Sequence, residues 1–250
     1  DQFVKDFFVN EPADGLGNVY VIYQDSRENI WFGTKGNGLF KATPIDKEGT
    51  KYSLQHFRND VKNNESLTSD YVYSIIEDKN GRVWIGSFAT GMMLVEEQKG
   101  SVKFIHTGNA FKNYPKEGFD HIRHMALDPA GNIWIAATDG LLILNTDGQR
   151  SSVCTYKIYR RVSDNTTGLG SSDIQFIYSD LKGRMWLATS GAGVSLATGN
   201  PFEQLHFKNY TKKDGLPNDF VLSCSGDKQG NLWIATENVL SRFNPEKNIF

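Results

Sequence analysis

Five histidines, two cysteines and 29 carboxylates are the groups in this 250-residue chain that could carry acid–base, nucleophilic or metal chemistry. The histidines are His56, His106, His121, His124 and His206. None sits in an H-E-x-x-H pair, the spacing that lets one helix face hold zinc. His121 and His124 lie three apart, a spacing that sends them to opposite faces of a strand. No G-x-S-x-G elbow is present, so no hydrolase nucleophile announces itself. The glycine-rich "GTKGNG" (33–38) lacks the helix and the Lys-Ser/Thr that a phosphate loop requires, and reads as a turn. Tyr73, His121 and Arg123 are the one trio that could serve a lyase or a glycosidase. The expectation is no catalytic residue, no metal site and no cofactor.

The carboxylates are ordered rather than clustered. Asp25, Asp78, Asp128, Asp180 and Asp227 each stand six residues before a Trp: Trp31, Trp84, Trp134, Trp186 and Trp233. Three before the Trp stands Gly81, Gly131, Gly183 or Gly230, with Glu28 in the first copy. Twelve before it stands Val19, Val72, Ile122, Ile174 or Val221. Neighbouring Trp are 47 to 53 residues apart. Three registers held over five copies are an internal repeat, and repetition argues against a catalytic role for any one copy.

Each unit reads as short strands. "VYSIIED" is rich in β-branched and aromatic residues and makes strand a. "DKNG" is a tight turn, in which Asp accepts from its own backbone and Gly supplies positive φ. "RVWIGS" is strand b, a Gly-containing turn leads to strand c, and "YSLQHF" (52–57) or "QLHFKNY" (204–210) is strand d. No segment carries a helical period. Four antiparallel strands in units of about fifty residues predict an all-β fold, a β-propeller of five four-stranded blades. The Trp is expected to be the packing between blades. The small residue two after it (Gly33, Gly86, Ala136, Ala188, Ala235) leaves room for the neighbour.

Residues 1–250 are thus expected to form a single propeller domain. Strand 3–9, "FVKDFFV", matches strand d, and the chain ends where the last strand d should begin. Joining the ends keeps the Trp spacing in range, so the N-terminal strand is expected to close the last blade. The alternative is part of a larger propeller. A net charge of -2 without a basic run excludes nucleic acid as a partner. No apolar stretch reaches the roughly 18 residues of a membrane span. Cys154 and Cys224 lie in different repeats and are both expected free. Without an initiator Met or a signal peptide, the chain is expected to be processed or excised.

The pattern resembles the two-component regulator propeller repeat. "DGLPNDFVLSCSGDKQGNLWIAT" (214–236) and "DGLGNVYVIYQDSRENIWFGTKGNGL" (14–39) carry it most fully, and "ESLTSDYVYSIIEDKNGRVWIGS" (65–87) keeps its core. The resemblance implies an extracytoplasmic, periplasmic sensor of a hybrid two-component histidine kinase, without catalysis of its own. It implies carbohydrate sensing, further sensor and kinase domains in the same parent chain, and room for a dimer through those domains.

Strand alternation puts the d–a and b–c connections together, opposite the uniform Asp-Gly turns. Residues flanking the fixed Val or Ile at the start of strand a vary in type. Asn18, Tyr71, His121 and Asp173 precede it, and Tyr20, Tyr73, Arg123 and Gln175 follow. Lys35 and Asp139 join them from b–c turns (Asn37, Phe88 and Glu237 share that face). A constant scaffold beside varied polar and aromatic groups is how a repeat fold carries a binding site. These ten residues are expected to bind an oligosaccharide or another small-molecule signal. The competing classes are the propeller enzyme and a platform for protein partners.

Overall fold

The computed structural model describes residues 7–98, 100–146 and 155–250. The chain divides into two compact units, residues 1–114 and 115–250. The first holds two sheets. β1 (Val19–Gln24), β2 (Ile30–Thr34), β3 (Leu39–Pro44) and β4 (Tyr52–Phe57) form one, and β5 (Val72–Glu77), β6 (Val83–Ser87), β7 (Gly91–Gln98) and β8 (Ser101–Ile105) the other.

The second unit holds three. β9 (Ile122–Leu127), β10 (Ile133–Ala137), β11 (Gly140–Asn145) and β12 (Thr155–Tyr159) form its first sheet, and β13 (Ile174–Ser179), β14 (Met185–Thr189), β15 (Val194–Asn200) and β16 (Gln204–Tyr210) its second. β17 (Val221–Gly226), β18 (Leu232–Thr236) and β19 (Leu240–Phe243) form a three-stranded sheet. Every sheet is an antiparallel meander in chain order, the construction of a propeller blade. One short 3-10 turn, Lys212–Asp214, is capped by Thr211 in the connection before β17.

The repeated turn does more than bend the chain. In each copy one carboxylate oxygen of the Asp accepts the backbone N–H four residues on, as from Asn29 to Asp25 (2.9 Å) and Arg82 to Asp78 (3.1 Å). The other oxygen accepts the indole N–H of the Trp in all five copies, at 2.8–3.0 Å. The six-residue interval is therefore the reach from a turn carboxylate to the Trp on strand b. Gly81, Gly131, Gly183 and Gly230 have φ of 72 to 89°, and Glu28 adopts φ 67° at the same place without glycine's freedom.

Trp31, Trp84, Trp134 and Trp186 are buried. Trp31 packs with Val72, Ile75 and Val83 of the next blade, Trp134 with Ile174 and Ile177, and Trp186 with Val221 and Cys224. Trp84 lies over Phe111, ring centroids 5.9 Å apart. The fifth copy departs from expectation: Trp233 is 38% exposed. The allowance for small residues holds at Gly33, where a Cβ would stand 2.6 Å from a methyl of Val72.

The expected closing strand 3–9 is corrected. Residues 3–6 lie outside the described residues. Phe7–Val9 run parallel to β4: the Val9 N–H donates to the Tyr52 carbonyl and the Tyr52 N–H to that of Phe7, both 3.0 Å. Phe7 stacks on Tyr52 at 4.6 Å and Phe8 meets the edge of Phe32 at 5.8 Å. Two aromatic rings find their cover on the outer strand of the first blade, which decides the pairing. In the last blade Asn244 and Ile249 exchange backbone hydrogen bonds instead, at 2.8 and 3.3 Å. Cys224 is free and buried, its thiol pushed up to about 12 by burial, and Cys154 lies outside the described residues.

Candidate functional site: the five bulges

At the start of strand a every sheet breaks register in the same way. Val19 pairs with Thr34 and Val21 with Gly33, so Tyr20 has no partner in the ladder. The same skip leaves out Tyr73, Arg123, Gln175 and Leu222. Five β-bulges thus stand at one repeat position, and their extra residues are the varied set after the fixed Val or Ile. A bulge re-aims a side chain and frees its residue from pairing, and bulges concentrate next to binding sites. Nothing in the residue types signalled them, since no glycine or proline stands there.

The position before the fixed residue is held to the b–c turn by its carbonyl. Asn18 accepts from Lys35 N–H (2.9 Å), Tyr71 from Phe88 (3.1 Å), Asp173 from Ser190 (2.9 Å) and Phe220 from Glu237 (3.2 Å). One residue earlier, the carbonyl of Asp70 accepts from Gly36 and Gly38, and that of Asp219 from Gly191 and Gly193. The first bonds stay within a blade, and those to Asp70 and Asp219 stitch the b–c turn of one blade to the start of the next blade's strand a. Sequence reasoning placed Lys35 and the strand a residues on one end but missed Asp70 and Asp219, which recur at the same repeat interval.

In the first unit the group is aromatic. Tyr20 stacks on Tyr73 with centroids 4.1 Å apart and planes at 15°, and Tyr73 stacks on Phe88 at 4.8 Å and 13°. Tyr20 is 58% and Tyr71 46% exposed. Asn18 and Lys35 are exposed beside them. Phe88, one of the b–c turn residues expected on this face, completes the stack.

In the second unit the group is ionic. Arg123 pairs with Asp173 (Nη2 to Oδ1, 3.0 Å) and donates from Nη1 to Gln175 Oε1. The Gln175 amide reaches Asp173 Oδ1 at 3.5 Å. His121 Nδ1 lies 2.9 Å from Asp120 Oδ1. Asp139 is instead engaged by Arg160, whose Nε donates to its carboxylate at 3.0 Å. His124, one residue past the bulge, stacks on Phe176 at 3.8 Å, and burial pushes its pKa down to about 4. It is a neutral packing residue. No group of three metal-ligating side chains occurs among the described residues.

Among known proteins, the family model described as two component regulator propeller matches residues 15–36, 66–89 and 215–238. The matches fall on three of the five repeats. No curated protein matches the chain in sequence. Among solved structures it is similar to the extracellular domain of the hybrid two component system BT3049 from B. thetaiotaomicron, at 24% identity and TM-score 0.71. That match covers 96% of this chain and 29% of the other, so the chain spans under a third of that relative. It is also similar to PorZ of the Porphyromonas gingivalis type-IX secretion system, at 19% identity and TM-score 0.69, over 97% of this chain and 34% of that one. Virginiamycin B lyase from Staphylococcus aureus follows at 13% identity and TM-score 0.61, over 95% of this chain and 70% of the lyase. At these identities the likeness establishes the propeller fold.

Proposed function

We propose that the chain is the ligand-sensing propeller part of an extracytoplasmic, periplasmic receptor in two-component signalling, and that it binds without turnover. The observation that carries this is the set of five bulges, which keep a fixed scaffold while presenting Tyr, Tyr, Arg, Gln and Leu from successive blades. The regulator-type repeats and the likeness to the BT3049 extracellular domain support the sensing role. The parent chain on this reading supplies further sensor and kinase domains.

The ligand is a saccharide or oligosaccharide. Flat aromatic faces at Tyr20 and Tyr71 suit the apolar side of a sugar ring, with Tyr73 holding Tyr20 in place from behind. Asn18, Lys35, His121, Arg123, Asp173, Gln175 and Asp139 offer donors and acceptors to hydroxyls. Arg123 favours an acidic sugar, whose carboxylate matches its planar guanidinium. A glycan array with product analysis tests the reading. Binding without cleavage is expected, and cleavage would establish the propeller enzyme that the lyase likeness allows. With the glycan found, Arg123→Ala should weaken calorimetric affinity roughly tenfold or more, at about 1–3 kcal/mol for a lost charged hydrogen bond. The melting temperature should stay nearly unchanged. Equal affinity in both proteins would remove Arg123 from the site.

A further inference from the structure

A cleft in the second unit lies at the other end of the strands from the bulges, between the Asp-Gly turns of β13–β14 and β17–β18. It has a volume of about 290 Å³ and is lined by Tyr178, Leu181, Lys182, Gly226, Leu232 and Pro245, among others. Its origin is visible in the repeat. Seven residues before the Trp the blades carry Gln24, Glu77, Leu127, Ser179 and, at the cleft, Gly226.

The first two blades show what a side chain at that position does. Glu77 reaches back to the preceding blade's turn, where its carboxylate accepts from the Ser26 N–H and the Ser26 hydroxyl, both at 2.7 Å. Tyr23 stands beside it, burial raising its pKa against a hydrogen bond to the Glu77 main chain. The fourth and fifth blades repeat the frame. Tyr178 takes the place of Tyr23, with its hydroxyl against Gly226, and Leu181 takes the place of Ser26. Even the outer ion pair recurs: Arg27 faces Glu97 at 3.7 Å, and Lys182 faces Glu246 at 2.8 Å from the same repeat positions. Only the carboxylate in the middle is gone. The Leu181 N–H has no protein acceptor among the described residues, and the Leu181 side chain is 78% exposed.

We propose that this cleft binds a small organic carboxylate, which takes the place Glu77 fills between the first two blades and accepts the Leu181 N–H. Lys182 and Arg184 also line the cleft, both paired with Glu246 and Arg184 with Asp180 as well, so an incoming carboxylate competes with Glu246 for Lys182. Leu181, Leu232, Pro245 and the Tyr178 ring receive an apolar or ring-bearing body. The site is independent of the bulges.

Hippurate serves as the probe and neutral hippuramide as its uncharged counterpart, read by amide resonances of the isotopically labelled 250-residue chain. Hippurate should shift Leu181, Gly226 and Gly230 saturably, and hippuramide should bind at least tenfold more weakly. Gly226→Glu, which restores the residue of the second blade, should abolish the shifts. Leu181→Pro should do the same by deleting the donor, and Pro129 shows that this turn position accepts proline. The second variant keeps the test decisive if the first folds poorly. No saturable shift with hippurate, equal binding of hippuramide, or unchanged binding in a folded variant would overturn the proposal.

Discussion

Strand a has two ends, and the five blades treat them differently. At the turn end the same Asp meets the same Trp in every copy, with indole-to-carboxylate distances that differ by 0.2 Å at most. At the bulge end the five extra residues are Tyr20, Tyr73, Arg123, Gln175 and Leu222, no two blades alike except the first pair. One end is held by a carboxylate that satisfies turn and indole at once. The other needs only that its neighbour be an aliphatic and that a carbonyl meet the b–c turn. On the function proposed above, stability and recognition are carried by separate residues only five apart, so the second can vary without disturbing the first.

The largest effect is expected at the turn end. Trp134→Ala should cost about 3–5 kcal/mol in urea titration, the usual result of emptying a buried aromatic site. Trp233→Ala, the same substitution in a half-covered copy, should cost less than half as much. Equal losses would mean that burial between blades is not what the Trp contributes.

Next comes the carboxylate. Asp78→Ala should cost about 2–3 kcal/mol, since it strands the Trp84 indole and the Asn80 and Arg82 amides in a buried setting. The same hydrogen bonds make a pH signature. Burial pushes the Asp180 pKa up, but bonds from Trp186 and Arg184 outweigh it and hold the carboxyl below its usual value. A depressed folded pKa means stabilisation present above the unfolded value near 4 and lost as pH falls through the folded one. Asp180→Asn should flatten that part of the acid unfolding curve, and an unaltered slope there would remove Asp180 from the acid response.

A smaller effect of opposite sign is expected where the turn breaks its own rule. Glu28 holds φ 67° where the other copies use glycine. Glu28→Gly should raise stability by about 1 kcal/mol by relieving a left-handed residue. A loss instead would mean that the Glu28 side chain, not its backbone, matters to the first blade.

The contrast also explains what was legible beforehand. The blades were readable because Asp, Gly and Trp recur in register, and a repeated side chain leaves a repeated letter. The Asp–Trp bond was not read, since adjacency on a strand hairpin is invisible until the turn is closed. The bulges left no letter at all: a skipped pairing is a backbone event, and Val-Tyr-Val reads as plain alternation. The pairing of Phe7–Val9 was misplaced because strand d and an added edge strand share one composition, and only the Tyr52 and Phe32 rings decide between them. The carboxylate cleft was hidden in a single glycine, Gly226, whose meaning appears only beside Glu77.

The smallest expected effect is the sharpest statement of the comparison. Leu222 is a bulge residue, 51% exposed, and Val221 immediately before it is fully buried in the packing around Trp186. Leu222→Gln copies the residue that the fourth blade carries at Gln175, and should change stability by no more than about 0.5 kcal/mol. Val221→Gln places the same amide one residue earlier, where it must enter an apolar core, and should cost several times as much, about 2–5 kcal/mol. The ladder loses nothing in the first case, because the bulge residue pairs with no one. Urea titration of the two variants side by side decides it. Equal destabilisation would mean that the bulge end is as constrained as the turn end, and that its variety reflects packing within each blade rather than freedom to meet a ligand.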